Sequence, residues 1–232
     1  MPNYLETNYF VDEYGPDKYP QKLCDFLTEH YFISDGKSAP TLLDIGSGKG
    51  NYLVGFSRHG FTVKGLDKRK ECLEILKDFD IRECDLENDP FPFEDNSFDY
   101  VFSKSVLEHV YNTEHIVRET YRVLKPGAIT VHLTPDWTTD YKHFWDDPTH
   151  VKPFTKKGLK HAFVLHDFIE VMCQGFYQLP FFWKHKNFAF IIWFISLLPD
   201  RLKWKDKDEK FQRVFIRHAK ERMLLLSARK PY

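Results

Sequence analysis

The sequence has no Cys-x-x-Cys pair: Cys24, Cys72, Cys84 and Cys173 are scattered along 232 residues. That scatter excludes a disulfide framework and a zinc site of clustered thiolates, and reads as buried or free thiols in a reducing compartment. Charge of one sign is missing as well. With 33 basic and 34 acidic side chains the net charge is -1, so no global field argues for nucleic acid as a partner. The opening Met1-Pro2-Asn3-Tyr4-Leu5-Glu6 lacks the basic and then apolar pattern of a secretory signal. No apolar run is long enough to span a bilayer, and no internal repeat or low-complexity segment is present. Together these absences set a cytoplasmic protein as the expectation.

What is present suits a sizeable core. Apolar residues make up 42% of the chain, and 22 residues are Phe. The length fits one large domain, or one domain with an insertion. The stretch Thr41-Leu42-Leu43-Asp44-Ile45-Gly46-Ser47-Gly48-Lys49-Gly50 organises the rest. Leu42, Leu43 and Ile45 read as a short buried strand. A glycine turn follows, and then residues 51–58, which can be helical. Strand, glycine turn and helix form the opening unit of a nucleotide-binding α/β fold, with the turn at the carboxyl end of the first strand, where open sheets bind ligands. An ordinary tight turn is the bland alternative at this point.

The remaining pattern repeats the alternation. Residues 16–32 carry Tyr19, Leu23, Phe26, Leu27 and His30 at helical spacing. A second strand at 61–66 ends at Asp67, about twenty residues past the glycines, where such folds hold ribose hydroxyls. A helix over 68–79, a third strand at 81–84 ending at Asp85, and a fourth at 98–103 follow. A helix over 114–124 is expected to stop at the breaker Lys125-Pro126-Gly127. A fifth strand spans 128–133. The pattern then breaks over 134–154, a loop rich in aromatic and ionisable residues and well placed to cover a ligand. Thr155 caps a helix running to about 165. A sixth strand covers 168–172, and a seventh covers 222–228. The alternation predicts an α/β, doubly wound Rossmann-like sheet of seven strands, mostly parallel, with helices on both faces. One domain is expected over 1–232: an N-terminal helical cap at 1–37, a core at 38–175, an aromatic insertion at 176–210 and a final-strand region at 211–232.

The residues carry a resemblance. Leu43-Asp44-Ile45-Gly46-Ser47-Gly48-Lys49-Gly50 resembles motif I of class I S-adenosylmethionine-dependent methyltransferases. Gly65-Leu66-Asp67, Cys84-Asp85-Leu86, Phe98-Asp99-Tyr100-Val101, Val106-Leu107-Glu108-His109-Val110 and Arg122-Val123-Leu124-Lys125-Pro126-Gly127 are similar to the family's later motifs, in order. The resemblance covers about 38–175, and implies that the last strand is antiparallel. It implies S-adenosylmethionine as cofactor and S-adenosylhomocysteine as product. Gly46, Ser47, Gly48 and Gly50 would pack on the cofactor's tail and ribose. Asp44 would help hold its amino-acid end. Asp67 would take both ribose hydroxyls, and Asp85 would face the adenine amino group with Leu86 beside it. Ser103 and Lys104 would stand beside the cofactor. Asp85 as a simple turn cap, His109 as a packed structural histidine and Glu108 as a solvated or packing acid are the bland readings kept alongside.

Three rivals stay open. An NAD-dependent oxidoreductase shares the glycine turn, but Asn51 stands where its third glycine would fall. A non-catalytic protein on this fold is compatible with the sequence. A nucleic-acid methyltransferase is disfavoured by Ser103-Lys104-Ser105-Val106, where a base-binding Asn/Asp-Pro-Pro-Tyr type motif would sit. The segment 144–155 is similar to one in bacterial methyltransferases associated with surface-polysaccharide and glycan genes. That points to an oxygen of a sugar or similar small acceptor, with a lipid or quinone-like acceptor as the alternative. The expected catalytic base is His150, then His143, with Asp146 or Asp147 orienting the imidazole. No metal set is assigned; a carboxylate pair around a divalent ion comes third. In the insertion, Phe181, Phe182, Trp183, Phe188, Phe190, Ile191, Ile192, Trp193, Phe194 and Ile195 are flanked by Lys184, Lys186, Arg201 and Lys203. Over 176–199 the expectation is peripheral membrane, partner or substrate contact, set against an extra core layer or a dimer contact.

Overall fold

The computed structural model describes residues 18–33, 39–75, 77–203 and 214–232. Seven strands form one sheet: β1 (Thr41–Ile45), β2 (Thr62–Asp67), β3 (Asp80–Glu83), β4 (Phe98–Lys104), β5 (Leu124–Pro135), β6 (Ile169–Phe176) and β7 (Met223–Arg229). Their order is β3-β2-β1-β4-β5-β7-β6. The pairs from β3 to β5 are parallel, and β7 runs antiparallel to both β5 and β6. The expected α/β sheet with an antiparallel last strand is the one observed.

The period of two in a strand sends neighbours to opposite faces. Leu43, Ile45 and Val101 enter one core layer, with Ile116, Val117 and Val123 of α4 (Thr113–Val123) and Leu159 and Phe163 of α6 (Lys156–Val164). Leu42, Val63, Tyr100 and Phe102 enter the other, under α1 (Tyr19–His30) and α2 (Asn51–Ser57). The remaining helices are α3 (Lys70–Ile75), α5 (Trp137–Asp140), α7 (Pro180–Lys184), α8 (Ala189–Ser196) and α9 (Val214–Lys220). The expected helix over 68–79 is therefore shorter.

One expectation fails at Lys125-Pro126-Gly127. These residues end α4 but do not separate it from the next strand, because β5 starts at Leu124. Phe98 pairs with Leu124 and Tyr100 with Ile129, so the surplus residues of β5 bulge out. Gly127 takes a φ of 78°, which glycine accommodates. The bulge is also where Pro126 escapes the ladder, since it has no N–H to donate.

The insertion is part core and part surface. Leu179, Phe182, Ile192 and Ala219 form a small buried cluster. Trp183 packs on Phe176 and Phe26 at 5.0 Å each. Phe181, Phe190, Trp193, Phe194 and Leu197 remain exposed. No helix among the described residues is long and apolar enough to cross a membrane. Tyr4, Tyr9, Phe10 and Tyr14 of the expected N-terminal cap lie outside the described residues.

A buried polar trio sits inside the first core layer. Thr130 donates to the Val101 carbonyl at 3.1 Å, so its hydroxyl accepts from His132 Nε2–H at 2.7 Å. Nδ1 of His132 is then bare and accepts from Ser103 Oγ at 2.7 Å. Burial pushes the His132 pKa down to about 3. The unfolded chain therefore binds a proton on this ring below about pH 6.5 that the folded chain refuses until about pH 3. Its contribution to stability falls with falling pH across that window, by at most about 1.4 kcal/mol per pH unit. The buried carboxyls of Asp44 and Glu108, both pushed up chiefly by burial, work in the opposite direction. Urea unfolding at pH 7 and pH 5 should show a larger acid loss in the wild type than in His132→Gln. Equal losses would remove His132 as the source.

Candidate functional site

The carboxyl ends of β1, β2, β4 and β5 meet at one edge of the sheet. Gly46, Gly48 and Gly50 take φ values of 71°, 53° and 77°, the left-handed region that glycine enters without a Cβ penalty. At Gly46 a Cβ would stand 2.5 Å from Val106 Cγ2. The glycine turn is thus seated directly on the segment that leads out of β4. Ser47 and Gly46 donate backbone N–H groups to the Leu66 carbonyl at 2.9 and 2.8 Å, which ties the turn to β2.

Two buried carboxylates end the first two strands on the same face. Asp67 is 3% exposed and Asp44 is 1% exposed. Asp67 Oδ2 accepts from Gly48 N–H at 2.8 Å, and Oδ1 from Arg69 N–H at 3.0 Å and Nε at 3.1 Å. Asp44 Oδ2 has no hydrogen-bond partner among the described residues. Burial, and then the charge of Asp67, push the Asp44 carboxyl well above the usual carboxylate range. An unsatisfied buried carboxylate beside a second one calls for a cationic or hydroxyl-bearing ligand. The ammonium, sulfonium and ribose of S-adenosylmethionine have that chemistry, so these residues fit the cofactor. Arg69 pairs with Asp67 through both its backbone and its side chain.

The other cofactor candidates are placed as follows. The Ser47 hydroxyl is buried and points at β2, such that a Cβ on Gly65 would come within 2.8 Å of it. Asp85 Oδ1 accepts from Glu87 N–H at 3.2 Å and Oδ2 faces Lys68 Nζ at 3.3 Å. The Glu87 bond, with Lys68 behind it, holds the Asp85 carboxyl below the usual range. Asp85 therefore caps a turn, while its side chain remains 30% exposed at the end of β3. Leu86 packs against the first core layer. The Ser103 side chain is fully buried and donates its hydroxyl hydrogen to His132 Nδ1.

A second cluster stands beyond the ends of β4 and β5. Leu107–His109 form a single 3-10 turn after β4. Glu108 is 1% exposed, so it is not a solvated acid. Thr134, near the end of β5, donates to Glu108 Oε2 at 2.9 Å. The 134–154 loop folds back here. Asp136 pairs with Arg222 at 2.6 Å and caps α5 through Thr138 N–H at 3.0 Å. Trp137 N–H reaches the Phe154 carbonyl at 2.9 Å, and Val151 and Lys152 N–H groups reach the Glu108 carbonyl at 2.8 and 3.1 Å. Both ends of the loop are therefore pinned, and His150 is carried onto the Glu108 turn. Its ring lies tilted, 4.5 Å from fully buried Phe144 and 4.8 Å from His109 between centroids.

The hydrogen bonds fix how these rings point. His150 Nδ1–H donates to the Phe144 carbonyl at 2.6 Å. His109 Nδ1–H donates to the Thr149 carbonyl at 3.2 Å, and Thr149 Oγ1 donates to Asp147 at 2.6 Å. Burial lowers the His109 pKa. The His150 Nε2 stands 3.9 Å from Asp147 Oδ2. Of the expected catalytic residues, His150 and Asp147 come together. His143 does not join them: its Nδ1 binds Asp146 at 2.9 Å, and its buried Nε2 has no partner among the described residues. His109, read from sequence as a packed histidine, and Glu108, read as a solvated or packing acid, complete the group instead.

A hollow of about 770 Å³ lined by Pro40, Asp99, Lys125 and Tyr232 opens at the opposite end of the sheet. It lies at the amino ends of the strands, away from the glycine turn, and plays no part in this site.

Residues 43–132 match the family described as "Methyltransferase domain". The chain is 36% identical over 104 residues to a phosphoethanolamine N-methyltransferase 2 of Caenorhabditis elegans, covering 41% of this chain and 24% of that one. It is 30% identical over 125 residues to a 24-methylenesterol C-methyltransferase 2 of Arabidopsis thaliana, covering 50% and 34%. The matches span about a quarter and about a third of the length of these two relatives. Among solved structures, the Haemonchus contortus phosphoethanolamine N-methyltransferase 2 in complex with S-adenosyl-L-methionine superposes with a TM-score of 0.66, at 20% identity, over 99% of this chain and 56% of that one.

Proposed function

The chain belongs to the class I S-adenosylmethionine-dependent methyltransferases, and we propose that within this family it transfers the methyl group to a hydroxyl oxygen of a small polar acceptor, a sugar or glycan precursor. S-adenosylmethionine supplies a methyl on a positively charged sulfur, already activated for displacement. The chain's own residues have to align the acceptor and take charge of its proton. Asp44, Asp67 and the Gly46–Gly50 turn hold the donor. Val106, packed on Gly46, links that turn to Glu108 and His109.

The observation that carries the reading is the convergence of Glu108, His109 and His150, with Asp147 behind them, one short turn away from the donor site. A hydroxyl is a poor nucleophile while protonated, so it needs such a group beside it.

A second reading is a lipid or quinone-like acceptor reached at a membrane surface. It is favoured by the exposed Phe181, Phe190, Trp193, Phe194 and Leu197. These residues follow β6 and precede β7 on the edge of the sheet that carries the site.

One experiment separates the two. The protein is incubated with methyl-labelled S-adenosylmethionine and a cell extract, and the products are partitioned between water and organic solvent and identified by mass spectrometry. The first reading expects label in a water-soluble methyl ether. Label confined to the organic phase selects the second. No label in either phase, with the donor bound, leaves a non-catalytic binding protein.

A further inference from the structure

We propose that Glu108, His109 and His150 form a binding site for one divalent first-row transition cation, of which zinc is the fitting example. Each offers one ligand atom, and all three atoms lie within 4.8 Å of one another. The residues come from places 42 positions apart in the chain (His150 against Glu108), brought together by the Val151 and Lys152 bonds to the Glu108 carbonyl.

The orientation of the rings is the stronger observation. A metal-binding histidine typically donates its other ring N–H to a carbonyl or carboxylate, which fixes the tautomer and leaves the second nitrogen bare. Both rings here are held in that way, through Nδ1–H to the Phe144 and Thr149 carbonyls. In its neutral form each ring therefore presents a bare Nε2. The third ligand is oriented too, because Thr134 holds one oxygen of the buried Glu108 carboxylate. Thr149 in turn is held by Asp147, so the shell behind His109 is itself bonded. Ligand atoms about 2.1 Å from a tetrahedral ion lie about 3.4 Å apart, so the trio closes by little more than an ångström as the ion enters.

The donor set selects the ion. Two imidazoles and one carboxylate suit zinc, iron, cobalt or nickel, whereas magnesium and calcium favour all-oxygen shells. Three protein ligands leave a position open, as catalytic zinc sites do. The other charged groups that act on these residues are Asp147, Lys104 and Arg69. Asp147 favours the cation, and Lys104 and Arg69 oppose it. The ion's part in the reaction rests on the hydroxyl-acceptor reading: an ion held there would make an acceptor oxygen at its open position easier to deprotonate, the proton leaving to solvent. Binding of the ion does not rest on that reading.

The test uses the full chain, stripped with a chelator and titrated with Co²⁺. The proposal expects one equivalent bound, with the visible absorption of cobalt in a nitrogen and oxygen shell. The His109→Gln/His150→Gln double variant should bind at least about a hundredfold more weakly, while the exposed-residue control His161→Gln binds as the wild type does. Calorimetry with S-adenosylmethionine reports whether the double variant is folded. Should it be unfolded, single His109→Gln, at a half-buried site, carries the comparison. Absence of cobalt absorption in the wild type, or an unchanged spectrum in a folded variant, overturns the metal site. The hydroxyl-acceptor reading fails separately, if a metal-loaded wild type methylates only organic-phase products.

Discussion

Replacing His150 with alanine should lower kcat by about 10²–10⁴-fold and leave affinity for S-adenosylmethionine within about threefold, under 1 kcal/mol. The two numbers separate because of where the ring sits. His150 touches Phe144, His109 and the Glu108 turn, all on the acceptor side. In the proposed site the donor is held by the Asp44–Asp67 end of β1 and β2. Removing the imidazole takes away the group that lets the acceptor hydroxyl give up its proton, whether the ring acts on that proton itself or through a bound ion. It does not touch the donor's partners. Steady-state kinetics with the true acceptor, alongside calorimetry, make the check. Near-normal turnover would remove His150 from the chemistry and move the search to His143 or Asp147.

Asp67→Ala should weaken binding of S-adenosylmethionine by at least about tenfold. Two charge-assisted hydrogen bonds to ribose hydroxyls are worth about 1.5–3 kcal/mol each, which alone would exceed tenfold. Part of that is offset in this protein, because Asp67 without ligand is already bonded to Arg69 and to Gly48 N–H. In the proposed site the ribose competes with Arg69 for Asp67, so the expected net loss is smaller than the sum. Gly48 also loses the acceptor that shapes the turn, which works in the same direction as the lost ribose bonds. Arg69→Ala, which frees Asp67 while keeping it, should bind the cofactor no more weakly than the wild type. A tenfold loss in Arg69→Ala with none in Asp67→Ala would reverse these roles.

The sheet was legible because its signals are local. Leu42 and Leu43 face opposite layers as a period of two requires, and the glycine turn sits where positive φ is needed. The two strand-end acids, Asp67 and Asp85, were readable from spacing alone. What the sequence hid depends on contacts between distant segments. Lys125-Pro126-Gly127 reads as a breaker, but a bulge lets the strand begin before it. Ser103 reads as a residue beside the cofactor, but its partner His132 lies on the neighbouring strand, 29 positions away. Glu108 reads as either a solvated or a packing acid, and is buried where Val151 and Lys152 bond to its carbonyl. No spacing rule links Glu108 and His109 to His150. The one local hint was an ionisable loop leaving the carboxyl end of a core strand. The exposed side of the insertion was expected from its aromatic density, whereas the burial of Phe182 and Ile192 depends on α9, beyond residues 204–213, which lie outside the described residues.

The most direct test of methyl transfer is to measure S-adenosylhomocysteine formed by the purified protein from S-adenosylmethionine, with and without a fractionated extract as the source of acceptor, and with Asp67→Ala as control. The account predicts product formation that depends on the extract, matches the methyl groups recovered in acceptor, and falls in the control. Wild-type protein that binds S-adenosylmethionine yet forms no S-adenosylhomocysteine with any fraction would contradict it.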